Sequence, residues 1–400
     1  MSDTQDQDRP LAGLTVVSLE QAIAAPFCTR QLADLGARVI KIERPNVGDF
    51  ARGYDDHVRG LSSHFVWTNR SKESFTLDLK HERAPAIMAD LLGQADVLVQ
   101  NLAPGAAARL GLSFEALNER YPKLIVCNIS GYGQDGPYAQ KKAYDLLIQS
   151  EAGVLSTTGG PGANEIAKTG FSVADIAAGM YAQTSILAAI IKRGITGQGT
   201  SIDVSMLEAL VEWMGYPMYY AFDGQDQPPR AGASHSTIYP YGPFAAADGS
   251  VMLGLQNERE WQAFCEHVLK QPKLTDDTRF ANNSQRSANR DDLRAIIHAA
   301  FAELDTKDVL ARLDSAGIAN ARVSDMADVW NHAQLAARNR WRTIDSPAGA
   351  LPALLPPAVD RAFEPRMDGV PGLGEHTATI LAELNYNAET IDTLINEGAV

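Results

Sequence analysis

Between Leu14 and Ile129, short runs rich in β-branched residues recur along the chain, and helical patterns fall between them. Leu14–Leu19, Arg38–Glu43, Ser74–Leu79, Val97–Gln100 and Leu124–Ile129 read as strands, with helical segments at Ala84–Leu92 and Phe114–Arg120. Strands that alternate with helices return in parallel through crossovers, so the pattern predicts a parallel sheet covered by helices. Pro26 opens the first helix, where the missing N–H is not needed, and Gly36 ends it. The expected fold class is α/β, with a Rossmann-like large domain.

A dinucleotide-binding sheet needs glycines after its first strand, so that backbone can approach a pyrophosphate. Here that turn reads Gln21-Ala-Ile-Ala-Ala-Pro26, with no glycine. The sheet is therefore expected without NAD, and no Gly-x-x-x-x-Gly-Lys-Ser/Thr loop offers a nucleoside triphosphate site. Polar and turn-forming residues cluster over Phe222–Ser236. Beyond them, Tyr241–Ala246 and Val251–Leu255 flank Asp248-Gly249, which predicts a hairpin. Helical patterns then run from Glu258 to Ala316, and Thr377–Leu384 is helix-capable. The domains read as 1–225, large; 226–325, small α+β; and 326–400, a return to the large domain.

The 49 acidic residues outnumber the 35 basic ones, a net charge of −14 that argues against a nucleic-acid surface. Residues Met1–Pro10 are polar and carry no apolar signal core. The most apolar stretch, Val173–Ile191, contains Asp175, Gln183, Thr184 and Ser185, so a buried helix is expected there and no membrane span. Cys28, Cys127 and Cys265 are odd in number and far apart, which gives no disulfide framework and fits a reducing cytoplasm. Eight scattered histidines give no metal motif, and no Gly-x-Ser-x-Gly marks a nucleophilic serine. Attention passes to carboxylates. Asp175 begins the apolar run, near a predicted helix N-terminus. Position alone leaves two readings open, an ordinary cap and a catalytic group.

Seven segments, taken in order, resemble the class III CoA-transferase family, which includes formyl-CoA transferases and, as close relatives, 2-methylacyl-CoA racemases. They are Pro10–Leu19, Leu35–Pro45, Asn101-Leu-Ala-Pro-Gly105 with Arg109, Gly131–Tyr138, Ala143-Tyr-Asp145, Thr196–Thr200 leading into Asp203-Val-Ser205, and Leu373-Gly-Glu-His-Thr377. The resemblance runs from about residue 10 to the end of the chain. It implies that Asp175, in Val173-Ala-Asp-Ile-Ala-Ala-Gly179, is the catalytic aspartate. It places CoA contacts at Ile23, Ala24, Arg44, Leu77 to Lys80, Asn101, Leu102, Arg109, Lys142 and Tyr144. The basic members suit the phosphates of CoA.

The implied reaction forms a covalent aspartyl intermediate, with the CoA thioester as substrate and no permanently bound cofactor. The implied partners are acyl-CoA, a small carboxylic acid and a second copy of the chain in an interlocked homodimer. Thr157-Thr-Gly-Gly-Pro-Gly162 is a candidate cover for the intermediate, or an ordinary turn. Oxalate-using members carry four glycines before the small domain, where this chain reads Arg230-Ala-Gly-Ala-Ser-His-Ser236. That departure points to succinyl-CoA as donor and to mesaconate, itaconate or citramalate-like acceptors, with Arg230 and His235 as candidates for the distal carboxylate. Two alternatives remain: a racemase or epimerase, and a non-catalytic acyl-CoA-binding protein. Against a racemase, Tyr144 stands where the racemases place a histidine, and Gly254-Leu-Gln-Asn257 lacks their glutamate, with Glu258 one position beyond.

Overall fold

The computed structural model describes residues 8–400; the polar start read at Met1–Gln7 lies outside the described residues. Two compact units emerge. The larger takes the chain up to Ala152, then Gly170–Trp213 and Leu335–Val400, and the smaller takes Gly153–Thr169 and Met214–Gln334. Sequence patterning had set the divisions at 225/226 and 325/326.

The larger unit is built on a six-stranded parallel sheet: β1 (Thr15–Leu19), β2 (Arg38–Glu43), β3 (Glu73–Thr76), β4 (Val97–Gln100), β5 (Ile125–Ser130) and β6 (Ser201–Ser205). The spatial order is β3-β2-β1-β4-β5-β6, so the strand order reverses between β1 and β4. An α/β sheet opens a crevice for ligands at the carboxyl ends of the strands beside such a reversal. Side chains two apart, such as Val17 with Leu19 and Ile40 with Ile42, enter one core. Helix Ala84–Gly93 and the C-terminal helices Thr377–Glu383 and Ala388–Asn396 pack into the same core. Five of the six strands follow from sequence pattern. The sixth does not, because Ser-Ile-Asp-Val-Ser lies on the sheet edge, polar and half exposed.

The C-terminal segment closes the opposite edge. The Gly374 N–H donates to Ser74 Oγ (2.9 Å), His376 N–H to Ser74 O (3.0 Å), and Ser74 N–H to His376 Nδ1 (3.2 Å). Thr76 N–H donates to Thr377 Oγ1 at 2.9 Å. Exposed strand edges invite unwanted pairing, and these bonds cover β3.

The apolar stretch forms one long helix, Val173–Thr196. By length and composition it is the one helix among the described residues apolar enough to cross a membrane. Its small-residue stripe, Ala174, Ala178 and Ala182, is buried together with Ile186 and Ala189. It packs on the first helix, Ala24–Asp34, so closely that a Cβ at Gly179 would stand 2.7 Å from Ala24 O.

In the smaller unit, β7 (Tyr241–Ala246), β8 (Gly249–Gly254) and β9 (Ala319–Arg322) form an antiparallel sheet, in the order β7-β8-β9. Helices pack on it around Phe244, Trp261, Phe264, Leu293 and Phe301. The predicted hairpin exists, but its turn lies one residue earlier. Ala246 pairs with Gly249, so Ala247 and Asp248 are the turn residues. Asp248 Oδ1 accepts the Thr306 N–H at 2.7 Å, which draws the aspartate away from an Asp-Gly turn.

Candidate active site

Gly179 fixes where Asp175 stands. The two are four residues apart, so they share one face of the long helix, with Asp175 a turn nearer its N-terminus. Gly179 lies against Ala24, and Tyr54 feels both Asp175 and Asp49, the residue that holds the first strand–helix turn, so Asp175 stands near that turn.

That turn is shaped without glycine. Ala22 takes a left-handed backbone (φ 61°), and its N–H is captured by Asp49 Oδ1 at 2.9 Å. A left-handed alanine costs about 1–2 kcal/mol, which the surroundings must offset. Asp49 is itself buried, and its Oδ2 accepts from Lys41 Nζ at 2.7 Å. Lys41 and Lys72 both reach Glu20, at 3.2 and 2.7 Å, and all three are fully buried. Burial alone would raise the Glu20 carboxyl, but the two ammonium groups outweigh it and hold it down at about 2. Asn101 clamps the other side: its Oδ1 accepts the Gln21 N–H (2.8 Å) and its Nδ2 donates to Gln21 O (2.9 Å). The first helix begins directly after the turn with no side-chain cap. Its first N–H groups therefore remain available to an anion.

Asp175 is not the cap of its helix. Ser172 holds the cap position and makes no side-chain bond there. Asp145, at the start of helix Asp145–Glu151, reaches across instead. Its Oδ1 accepts the N–H of Ala174 (2.8 Å) and of Asp175 (3.2 Å), and its Oδ2 accepts from Gln149 Nε2 at 2.6 Å. Among the described residues nothing donates to the Asp175 carboxylate, which is half-buried. Burial, and then the charge of Asp145, push its pKa up to about 7. Such a carboxyl titrates near neutrality, whereas an ordinary first-turn aspartate is lowered by the helix.

The other sequence-predicted residues fall around the same carboxyl ends. Ile23 and Ala24 form the first turn and are buried, so what they offer a ligand is backbone. Arg44 follows β2, exposed, with its guanidinium over Phe50. Leu77 follows β3 as a core residue, its N–H on Glu43 O (2.8 Å), and Lys80 is exposed just beyond. Leu102 and the exposed Arg109 follow β4. Lys142 is exposed while its neighbour Lys141 is held by Glu151, Tyr132 and Tyr138. Tyr144 precedes the helix that carries Asp145 and is 72% exposed.

Two candidates have other occupations. Arg230 donates through Nε to Gly160 O (2.9 Å) and through Nη2 to Gly162 O (2.8 Å), stapling the glycine-rich loop. That loop is a tight hairpin: a Cβ on Gly159 would stand 1.9 Å from Glu165 O. His235 stacks on Tyr241, and its Nδ1 accepts the N–H groups of Thr237 and Ile238 at 3.1 and 3.0 Å.

Sequence reasoning gave no role to Asp145, Asp49 or Tyr54. The Tyr54 phenol is pushed up by burial, then by Asp49, Asp175 and Tyr144, which places it within electrostatic reach of Asp175. A motif had flagged Asp145; nothing in the chain had flagged Tyr54.

Comparison with known proteins gives consistent matches. The family model described as CoA-transferase family III matches residues 11–377. The succinyl-CoA:glutarate CoA-transferase of Mus musculus is 32% identical over 99% of this chain and 91% of its own length. The acetyl-CoA:oxalate CoA-transferase of Acetobacter aceti is 36% identical over 82% of this chain and 85% of its own. Among solved structures, a CAIB/BAIF family protein from Brucella suis is 34% identical, with a TM-score of 0.84 over 94% of this chain and 99% of that one.

Proposed function

The chain belongs to CoA-transferase family III and is a CoA-transferase; from that premise we propose that it moves CoA from succinyl-CoA to a short dicarboxylic acid through an adduct on Asp175. The observation that carries this reading is one half-buried carboxylate with no hydrogen-bond donor among the described residues, poised near neutrality close to an uncapped helix N-terminus.

In the first step an Asp175 oxygen lone pair attacks the thioester carbon. A C–O bond forms, the C–S bond breaks, and its electron pair leaves on CoA sulfur as a thiolate. The thiolate then attacks the Asp175 carbonyl of the mixed anhydride and expels the donor carboxylate, leaving an aspartyl-CoA thioester. The acceptor carboxylate reverses the sequence. Each tetrahedral stage carries an oxyanion, for which the early N–H groups of the first helix, at Ala24 and Ala25, are the donors we assign. Arg44, Lys80, Arg109 and Lys142 offer charge to the CoA phosphates, and Asn101 acts by holding the turn. A dicarboxylate acceptor is favoured because glutarate and oxalate appear in the names of two relatives. Oxalate therefore stays in the panel despite the missing glycine run.

The racemase reading finds less support. Glu258 accepts from Arg286 through both oxygens (2.8 and 2.9 Å), an ion pair that leaves it poorly suited to act as a base. Tyr144 offers a phenol, whose ordinary pKa of about 10 suits it poorly to proton abstraction.

The test is incubation of succinyl-CoA with glutarate, mesaconate, itaconate, citramalate and oxalate, with products read by mass spectrometry. New acyl-CoA should form with at least one acid, and hydroxylamine added during turnover should modify Asp175 alone. Asp175→Ala should lose at least a thousandfold in rate, roughly the cost of removing a covalent nucleophile. Transfer by Asp175→Ala at the wild-type rate would sink the assignment. In deuterated water with a 2-methylacyl-CoA and no acceptor, α-deuterium uptake would favour the racemase instead.

A further inference from the structure

A carboxylate in the first turn of a helix ordinarily folds back on the free N–H groups there and is stabilised by them. In this chain those donors are already occupied. Asp145 Oδ1 takes the N–H of Ala174 and of Asp175 itself, and Gln149 anchors the other oxygen. The remaining early N–H groups are satisfied locally, Val173 on Phe171 O (2.9 Å) and Ile176 on Ser172 O (3.0 Å). An uncharged serine stands at the cap position and is left unused, while an anion from another helix does its work.

We propose that Asp145 is a positioning residue for the reacting carboxylate: it withholds the helix donors from Asp175 and sets a like charge behind it. The proposal rests on the reading of Asp175 as nucleophile. A carboxylate without donors is more basic and more reactive toward a thioester carbon. Attack moves its negative charge onto the thioester oxygen and then onto CoA sulfur, so the repulsion with Asp145 is relieved as the C–O bond forms. Water cannot supply this pairing of cap and charge, whereas one aspartate supplies both. The other titratable groups in reach are Tyr54, from the segment after Phe50–Gly53, whose phenol burial pushes up, and Tyr144 beside it. The elevated Asp175 titration fits this geometry.

The experiment measures adduct formation on Asp175 from succinyl-CoA by rapid quench and intact mass, between about pH 5 and pH 9. Wild type, Asp145→Asn and Asp145→Ala are compared. The asparagine keeps an oxygen for the two N–H groups and removes the charge. Its acid limb, set by ionisation of Asp175, should move to lower pH by about half a unit or more, and its plateau rate should fall about twofold to threefold, as the nucleophile becomes less basic. Asp145→Ala should show the same shift and also melt lower, because the cap is gone. An Asp145→Asn limb that coincides with wild type would overturn the proposal while leaving transfer through Asp175 intact. Absence of any adduct in wild type would instead bring down the parent reading, and this one with it. A second readout needs no catalysis. Asp175→Asn should raise the melting temperature at about pH 8 in wild type, and by less in the Asp145→Asn background. Equal gains in both backgrounds would also overturn it.

Discussion

At the residue scale, the raised titration of Asp175 has a stability signature. Its carboxyl titrates near 7 in the folded chain, above the value of about 3.9 expected when unfolded. A raised acid adds stability while it is protonated, fully so below the unfolded value, and that contribution is lost as pH rises through about 7. Asp175→Asn is neutral at every pH. It should therefore melt several degrees above wild type near pH 8, and the gap should close toward pH 4, as calorimetry across the range would show. No gap at pH 8 would mean that the ionised carboxylate is better accommodated than its surroundings suggest. The position of Asp175 was legible in the sequence, because it opens a conspicuous apolar run. What tunes it was not: the bonded partner is 30 residues away, and spacing alone does not say which helix start faces which. Arg230 shows the same limit. An arginine in a polar loop reads as a free cation until its fork is found on two glycine carbonyls 70 and 68 residues distant.

At the element scale, the long helix and the first helix meet through a single absent side chain. A Cβ at Gly179 would stand 2.7 Å from Ala24 O and 3.0 Å from the Phe27 ring. The backbone oxygen cannot swing aside as a side chain does. Gly179→Ala should therefore cost about 1–3 kcal/mol in urea unfolding and displace Asp175 from the turn it faces. Activity should fall more than stability accounts for, since a shift of about 1 Å at a reacting centre costs up to a hundredfold. Wild-type turnover in this variant would show that the helix contact does not position the site. The first five strands and the helices Ala24–Asp34, Ala84–Gly93 and Phe114–Arg120 were readable from their apolar patterns, whereas the short helices Phe50–Gly53, Ser63–Asn69 and Ala106–Arg109 were not. β6 escaped because its polar alternation resembles a loop, and the hairpin turn moved by one residue because Asp248 serves Thr306 instead. The C-terminal motif was visible as a pattern, but its task of covering β3 depends on a partner some 300 residues earlier.

At the scale of the whole molecule, large apolar side chains remain uncovered on the single chain. In the smaller unit, Tyr216, Tyr219 and Phe222 are between 61% and 79% exposed within seven residues of one another. Exposed aromatics at this density mark an interaction surface. Together with the family resemblance, they lead us to expect a homodimer. Sedimentation should return twice the chain mass at micromolar concentration, and Tyr219→Lys with Phe222→Lys should shift the population toward monomer. A monomeric wild type would leave that surface to some other partner.

The large unit is assembled from three separated stretches of chain, the last of which includes Gly374–Thr377 on the edge of β3 and two helices in the core beneath it. During synthesis those residues follow every strand of the sheet they complete. Some 300 residues must then emerge while the first half of the sheet still has one open edge and an unfilled apolar face. A nascent chain of this design cannot complete its first-made sheet until the stretch around Gly374–Thr377 has emerged, which makes the interval before it the time of greatest need for a chaperone.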